Sequence, residues 1–302
     1  MPDGDQVIVA GIRISHPGRV LYEELGLTKA ALARYYESVA EWMLPELRER
    51  PLSLVRCPLG PGEGCFYQKN IDEKFPADIE RVPVDLGGGG VYAAANTISA
   101  VVALVQMGVI ELHAWGSTTK NLGCPDRMVL DLGPDTRVPW REVMAAAHHV
   151  RERLEDLGLE SFVKTTGGKG LHVVVPLAPR HDWDELKQFS RALAESIAAE
   201  RPKDFTAKAA KRERSSRIYI DWLRNAEGAT AIAPYSVRAR KGAPVATPLH
   251  WDEVGGRMRP TKYHAGNVAK RLHGLHSDPW KQLRRKHQVI TAAMKRKLDL
   301  KP

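Results

Sequence analysis

Apolar positions in this chain fall mostly into short runs and alternations, the mark of strands, interrupted by a few longer stretches of helical periodicity. Residues 6–15 (QVIVAGIRIS) form an opening strand that ends in the turn His16-Pro17-Gly18. Thr28 is placed to cap one long amphipathic helix running to about Arg50, with Leu32, Tyr35, Tyr36, Val39, Met43 and Leu47 on one face. Strands follow at 52–56 and 65–69, then at 81–86 and 91–95 around a glycine hairpin tip at 87–90. Asn96 is expected to cap a helix at 97–107 that is apolar nearly all round, and therefore buried. Residues 109–115 (VIELHAW) alternate, placing Glu111, His113 and Trp115 on one side. Helices are predicted at 139–157, 183–201 and 280–298, and a strand at 217–222.

Between the first two of these helices lies SFVKTTGGKGLHVVVPL (161–177), a strand, a glycine-rich turn and a buried strand. Such a turn can offer backbone amides to phosphate oxygens, with Lys169 as counter-charge and His172 close behind. It is not a P-loop: the GxxxxGK[ST] spacing is absent, and a strand stands where a helix should.

The stretch that organises the chain is RMVLDLGPD (127–135). Met128, Val129, Leu130 and Leu132 make a near-continuous apolar run suited to a central strand, which Gly133-Pro134 is expected to break. An acid on such a strand needs donors or a cation. Asp131 therefore reads either as a turn cap or as a metal ligand. Asp221 repeats the arrangement at the end of RIYIDW (217–222), and Arg238 and Arg240 alternate in an extended segment beyond it.

Charge adds direction. The net charge of +9 favours a polyanionic partner, nucleic acid above all. The run KDFTAKAAKRERSSR (203–217) concentrates part of it, whether as a solvated face or as a nucleic-acid-facing segment. No run of about 18 apolar residues is present to span a bilayer. Three cysteines without a CxxC pair argue against a disulfide framework or a structural zinc, in keeping with a reducing cytoplasm.

Two strand-end aspartates among Lys169, His172, Arg224, Arg238 and Arg240 match the needs of nucleotidyl transfer, in which carboxylates hold divalent metal and cations hold phosphates. Here the sequence resembles the archaeo-eukaryotic primase superfamily, specifically the polymerase domain of bacterial DNA ligase D. The resemblance runs from about Val9 to Leu298. It is carried by SHPGRVLY (15–22), SLVRCP with CFYQKN (53–70), MGVIELHAW (107–115), RMVLDLGPD, KTTGGKGLHVVVPL and IDWLRNAEGATAIAPYSVRAR.

The resemblance implies an α+β fold: a primase-polymerase (RRM-like) catalytic core on a mixed, mostly antiparallel sheet, with a second β-rich lobe packed on it. Residues 1–302 would form one domain of two interleaved lobes. The core would centre on about 105–240, residues 1–104 would carry DNA-end contacts, and 264–302 would be a basic helical end. It implies a polymerase and primase that fills gaps during non-homologous end joining. Its substrates would be ribo- or deoxyribonucleoside triphosphates and its metal Mn2+ (or Mg2+). Its partners would be double-stranded ends, gapped DNA with a 5′-phosphate, the Ku protein and a ligase domain, in a bacterial cytoplasm at the nucleoid and not at a membrane.

By residue, Asp131 and Asp221 would be metal ligands. His113, Thr166, Lys169, His172, Arg224, Arg238 and Arg240 would face the nucleotide. His16, Arg19 and Lys29 would take the 5′-phosphate, and Phe66, Tyr67 and Lys69 the template. One departure matters: the family's motif is Asp-x-Asp, and the second acid here is Gly133. Asp135, beyond Pro134, looks no substitute. Weak metal binding and low polymerisation are expected, and the alternative is a catalytically silent module that binds DNA ends. A metal-dependent nuclease or phosphatase is a third reading, which leaves the Lys/His/Arg set unexplained.

Overall fold

The structure, a computed structural model, describes residues 7–62, 64–85 and 89–301. Gln6, Leu86 of the strand expected at 81–86, and residues 87 and 88 of the hairpin tip expected at 87–90 lie outside the described residues. The chain divides into two compact units, each assembled from three stretches: Met1–Trp115, Ile232–Thr247 and Tyr263–His276 in the first, and Gly116–Ala231, Pro248–Lys262 and Ser277–Pro302 in the second. Among the described residues no helix is long and apolar enough to cross a membrane.

In the first unit β1 (Val7–Val9) and β2 (Ile12–Ile14) form a hairpin, as do β3 (Val20–Tyr22) and β4 (Leu27–Thr28). Thr28 caps a helix as expected, its hydroxyl accepting from Ala31 N at 3.2 Å. The single long helix, however, is two: α1 (Lys29–Ser38) and α2 (Ala40–Leu47). The break falls where Ser38 Oγ donates to Tyr35 O at 2.7 Å and Val39 leaves helical geometry (φ −107°, ψ 7°).

The sheet comprises β5 (Leu52–Arg56), β6 (Phe66–Gln68), β7 (Glu80–Val84), β8 (Gly90–Ala94) and β9 (Val109–Trp115). Its order is β9-β5-β8-β7, with β6 also pairing with β5. Helix α3 (Ile98–Gln106) is apolar and buried, but its cap is Thr97, accepting from Ala100 N, rather than Asn96. Asn96 instead accepts from Glu49 N at 2.6 Å and bonds the Glu80 carboxylate.

The cysteine expectation is also corrected: Cys57 and Cys65 form a disulfide. The reason lies in the β5–β6 register. Leu54 faces Gln68, Val55 faces Tyr67 and Arg56 faces Phe66, so Cys57 and Cys65 are the next facing pair, with Cα atoms 4.2 Å apart. Hairpin register pairs these cysteines, and a CxxC count does not detect it.

In the second unit β10 (Arg127–Pro134), β11 (Phe162–Thr165), β12 (Leu171–Pro176), β13 (Phe205–Thr206) and β14 (Ile218–Asp221) order as β13-β14-β10-β12-β11, followed by the short strand Pro248–Leu249. All pairings are antiparallel except β13 with β14. Helices α4 (Trp140–Asp156) and α5 (Trp183–Glu200) pack on the sheet, α4 against β10 and β12 and α5 against β10. On the Val129 face, Val129, Phe162, Val174, Trp280 and Leu283 form one buried cluster.

Gly133-Pro134 does not end β10: Gly133 faces Tyr219 and Pro134 faces Ile218. Asp135 N donates to Arg217 O, so odd-numbered amides point to β14, while the hydrogen-less nitrogen of Pro134 points to the other edge. There, pairing with β12 has already stopped at Leu132 opposite Leu171. The helix expected at 280–298 is reduced to a 3-10 turn at Leu283–Arg285 and a helix at Ala292–Lys297. Between them the backbone is drawn into extended pairing, with Gln288 bridged to Leu177 and Ile290 N donating to His181 Nε2.

Candidate active site

Four polar side chains form a row across the second unit's sheet. Asp221 pairs with Asp131, Asp131 with His172, and His172 with Lys164. Facing residues of antiparallel strands share a side, so all four project from one face, the one that also bears Gly133 and Tyr219. Strand periodicity alone thus brings together side chains that lie far apart in the chain.

Arg224 closes the row. It sits in the 3-10 turn Leu223–Asn225 just after β14, and its guanidinium lies 3.3 Å from both Asp131 Oδ2 and Asp221 Oδ2. The neighbouring Asn225 is buried and pins that turn to β10. Its Oδ1 accepts from Val129 N at 2.7 Å, and its Nδ2 donates to Val129 O at 2.9 Å and Trp222 O at 3.0 Å. His172 Nε2 lies 3.4 Å from Asp131 Oδ2, while its buried Nδ1 has no hydrogen-bond partner among the described residues.

The two acids are electrostatically unequal. Burial pushes the Asp131 carboxyl up, but His172, Arg224 and Lys164 together outweigh it and hold that carboxyl well below the usual range. Asp221 goes the other way: burial raises it, Arg224 pulls it down, and the charge of Asp131 adds to the rise. Burial, with the charge of Lys164, lowers His172 to about 4.

The turn after β11 is closed by its own threonine. Thr166 Oγ1 donates to Gly170 O and accepts from Gly168 N, both at 3.1 Å. Gly170 is required because a Cβ there would collide with the Leu132 carbonyl of β10. Lys169 is exposed at the tip. Asp135 is engaged locally, accepting from Arg137 N at 3.1 Å and Arg137 Nε at 2.9 Å.

Whether these residues suit a divalent cation is a matter of donors. Asp131 and Asp221 face each other and share one guanidinium, so they already hold a cation between them; that fits one metal ion. Gly133 supplies no ligand, and among the described residues no group of three or more His, Cys, Asp or Glu could hold a metal. The set falls short of a two-ion site.

The first unit holds the other candidates. His16, Arg19 and Lys29 line one cavity of about 310 Å³, together with Ser15, Arg56 and Cys57. Lys29 Nζ donates to Gln106 O at 3.0 Å, and burial followed by the charge of Arg19 lowers its pKa. Phe66 and Tyr67 are both exposed, at 45% and 48%, because β6 is a three-residue strand paired only with β5. Adjacent residues of a strand point to opposite faces, which would turn one of these rings inward, yet neither is buried. Arg56 sits over the Phe66 ring, and Tyr67 meets His113 edge-on at 5.6 Å. Lys69 is exposed beyond them. Arg238 and Arg240 do not alternate along a strand: Arg240 N donates to Arg238 O at 2.8 Å, bending the chain between them. Arg240 is exposed, whereas Arg238 is held at 3.0 Å by Glu111.

Glu111, Lys164, Arg56 and Asn225 are absent from the residues proposed on sequence. Glu111 was within reach, since it shares a strand face with His113 two residues on. Lys164 was legible only with the β11–β12 register, and nothing local marks Arg56 or Asn225.

The model of the family described as LigD, primase-polymerase domain, matches residues 28–280. The chain belongs to this family. Among LigD proteins, the multifunctional non-homologous end joining protein LigD of Pseudomonas aeruginosa is 40% identical over 96% of this chain and 35% of its own length. Its counterpart in Mycolicibacterium smegmatis is 34% identical over 80% of this chain and 32% of its own length. The chain therefore spans about a third of the curated LigD proteins it matches. The solved polymerase domain of Mycobacterium tuberculosis ligase D, in complex with DNA, superposes with a TM-score of 0.84 at 26% identity, covering 94% of this chain and all of that one. The α+β, mostly antiparallel architecture expected of a primase-polymerase domain is thus the observed one.

Proposed function

We propose that this chain is a metal-dependent nucleotidyltransferase acting at DNA ends in non-homologous end joining. The observation that carries the reading is the facing pair Asp131 and Asp221 joined by one guanidinium, in a chain of this family. Asp131 and Asp221 would hold a divalent cation, Mn2+ or Mg2+, which supplies charge neutralisation at the phosphate under attack. Arg224, 3.3 Å from both acids, would also face an incoming phosphate. Lys169, with the Gly167 and Lys169 amides of the turn, binds phosphate oxygens, while Thr166 and the Gly168 amide keep the turn closed. His172, His113, Arg238 and Arg240 complete the nucleotide-facing set. His16, Arg19 and Lys29 take a 5′-phosphate, and Phe66, Tyr67 and Lys69 place the template strand by stacking and charge. The substrates are gapped or double-stranded DNA ends and ribo- or deoxyribonucleoside triphosphates, and Ku and a ligase domain are the protein partners. The site is soluble-phase chemistry, placed in the bacterial cytoplasm at the nucleoid.

Gly133, together with the bridging Arg224, favours a second reading: an end-binding module without chemistry. Primer extension on a gapped duplex bearing a 5′-phosphate separates them, with Mn2+ titrated and Gly133→Asp run in parallel. Extension that needs high Mn2+, and less of it in the variant, supports the transferase. Salt-sensitive binding of the same DNA without incorporation at any Mn2+ supports the module. Absence of both binding and extension removes the reading.

A further inference from the structure

The first unit contains a buried acid that neither the charge pattern nor the family assignment accounts for. Glu111 lies on β9 with a side chain only 6% exposed, and among the described residues its carboxylate's hydrogen bonds and ion pair go to His113, Arg238 and the Ala239 amide. Oε2 is 2.8 Å from His113 Nε2, so the carboxylate accepts and that ring nitrogen donates. Oε1 is 3.0 Å from Arg238 Nε and accepts from Ala239 N at 2.8 Å. The backbone on the far side of Arg238 is tied down as well, because the buried Tyr22 hydroxyl donates to Arg238 O at 2.7 Å. One carboxylate thus fixes an imidazole, a guanidinium and the peptide that carries the guanidinium.

We propose that Glu111 is a positioning residue: it fixes the tautomer of His113 and the direction of Arg238, and so sets nucleotide affinity without touching the nucleotide. This rests on the assignment of His113 and Arg238 to the nucleotide. Three features of the geometry support it. A carboxylate that served only as a counter-ion would need one cation, whereas this one is divided between two side chains and an amide. A buried acid costs free energy unless all its oxygens are engaged, and here both are. The ring of Tyr67 also abuts His113, so the imidazole is held from two directions and cannot turn without disturbing one of them.

The test measures binding of a fluorescent nucleoside triphosphate in the presence of Mn2+, which requires no turnover. Glu111→Gln keeps the size and one acceptor but loses the charge. It is expected to weaken nucleotide binding by about ten- to a hundredfold, the scale of a lost charge-assisted contact, while affinity for 5′-phosphorylated gapped DNA stays within about twofold. In the background of His113→Ala with Arg238→Ala, the same substitution should add nothing further. The ring 15N shifts of His113 should show its tautomer populations change in Glu111→Gln. If Glu111→Gln fails to fold, Glu111→Asp, which keeps the charge and shortens the reach, must show the loss instead. Undiminished affinity in the folded variant, or a loss that persists in the double-alanine background, overturns the proposal. A parent chain that binds no nucleotide at any Mn2+ concentration overturns the nucleotide assignment itself, a distinct result.

Discussion

Glu111 and Asp131 are both acids on strands, each flanked by a histidine and an arginine, yet they are arranged for different work. Glu111 is saturated: both oxygens are engaged by the protein, and their donors all belong to residues it could orient. Asp131 is paired with a second acid, Asp221, and the two compete for one guanidinium. An acid whose two oxygens are both turned to the protein in a buried site is poorly placed to take a ligand. Burial raises both acids; at Asp131 it is outweighed by His172, Arg224 and Lys164, whereas at Asp221 Arg224 does not offset it and the charge of Asp131 adds to the rise. The difference separates a carboxylate that builds a site from carboxylates that serve in one.

The widest separation between the two should come from neutralising each acid in turn. Asp131→Asn removes half of the only facing carboxylate pair in the row, and Mn2+-dependent primer extension should fall by about 10³-fold at saturating nucleotide. Glu111→Gln should leave the rate at saturating nucleotide within a fewfold of the parent. Rate against nucleotide concentration for both variants decides the matter, and equal losses at saturation would erase the distinction.

Next in size is the support beneath Asp131. Asn225 acts as a one-residue strand, pairing with both backbone groups of Val129 two positions before the acid. Asn225→Ala leaves a buried amide and a buried carbonyl unpaired, and should cost about 4 kcal/mol of stability, read as a shift in the urea unfolding midpoint. Beside Glu111 the support is shared out: Leu112 N donates to the buried Ser236 Oγ at 2.9 Å and Leu112 O accepts from Ala233 N at 2.8 Å, in addition to the register of β5 with β9.

Saturation also has a pH signature. Burial raises the Glu111 carboxyl, but the His113 hydrogen bond, the charges of Arg238 and His113 and the Ala239 amide outweigh it, lowering the pKa from 4.5 to about 2. The folded state therefore binds this proton more weakly than the unfolded chain does. The stabilisation is complete above pH about 4.5 and is lost as pH falls toward 2. It amounts to about 3 kcal/mol, and Glu111→Gln should flatten the acid limb of stability against pH by that much. Unfolding by urea at a series of pH values reads it directly, and an unchanged limb would show that Glu111 is not so committed.

How much of this was readable in advance follows the range of the interaction. Period-two alternation placed Glu111 and His113 on one face of β9, and apolar runs located β10 and β12, because those signals lie within a single strand. The row Asp221–Asp131–His172–Lys164 depends on register between strands up to 90 residues apart in sequence (131 to 221), which no local pattern encodes. The same limit hid the Cys57–Cys65 bond, a property of hairpin pairing, and Asn225, whose partner is Val129. Helices were misread where something else competed for the backbone: the Ser38 hydroxyl where α1 breaks from α2, and extended pairing at Gln288 and Ile290 within the stretch expected as one helix. Family resemblance supplied residue roles that physical reading of the chain alone left open, including whether Asp131 is a cap or a ligand.

The finest test of the contrast adds charge rather than removing it. Gly133 lies two residues along β10 from Asp131 and projects from the same face. A Cβ built there meets nothing closer than Tyr219 O at 3.8 Å, an ordinary van der Waals distance, and the backbone is not in the left-handed region. Gly133→Asp should therefore be accommodated without distortion. Like charge from Asp131 and Asp221 will disfavour the new carboxylate in the metal-free protein, so the variant should be slightly less stable and should recover on adding Mn2+. Mn2+ affinity should rise about tenfold, equivalent to about 1.4 kcal/mol, in a titration followed by electron paramagnetic resonance. A matching acid beside Glu111 should do nothing of the kind: the half-buried Val55, which faces Glu111 across β5 and β9, offers the control position, and Val55→Asp should leave Mn2+ affinity unchanged. Gain at position 133 alone would locate the unmet demand for a cation at the aspartate pair. Gain at both, or at neither, would mean that the sharing of Arg224 is a structural ion pair and not the signature of a metal site.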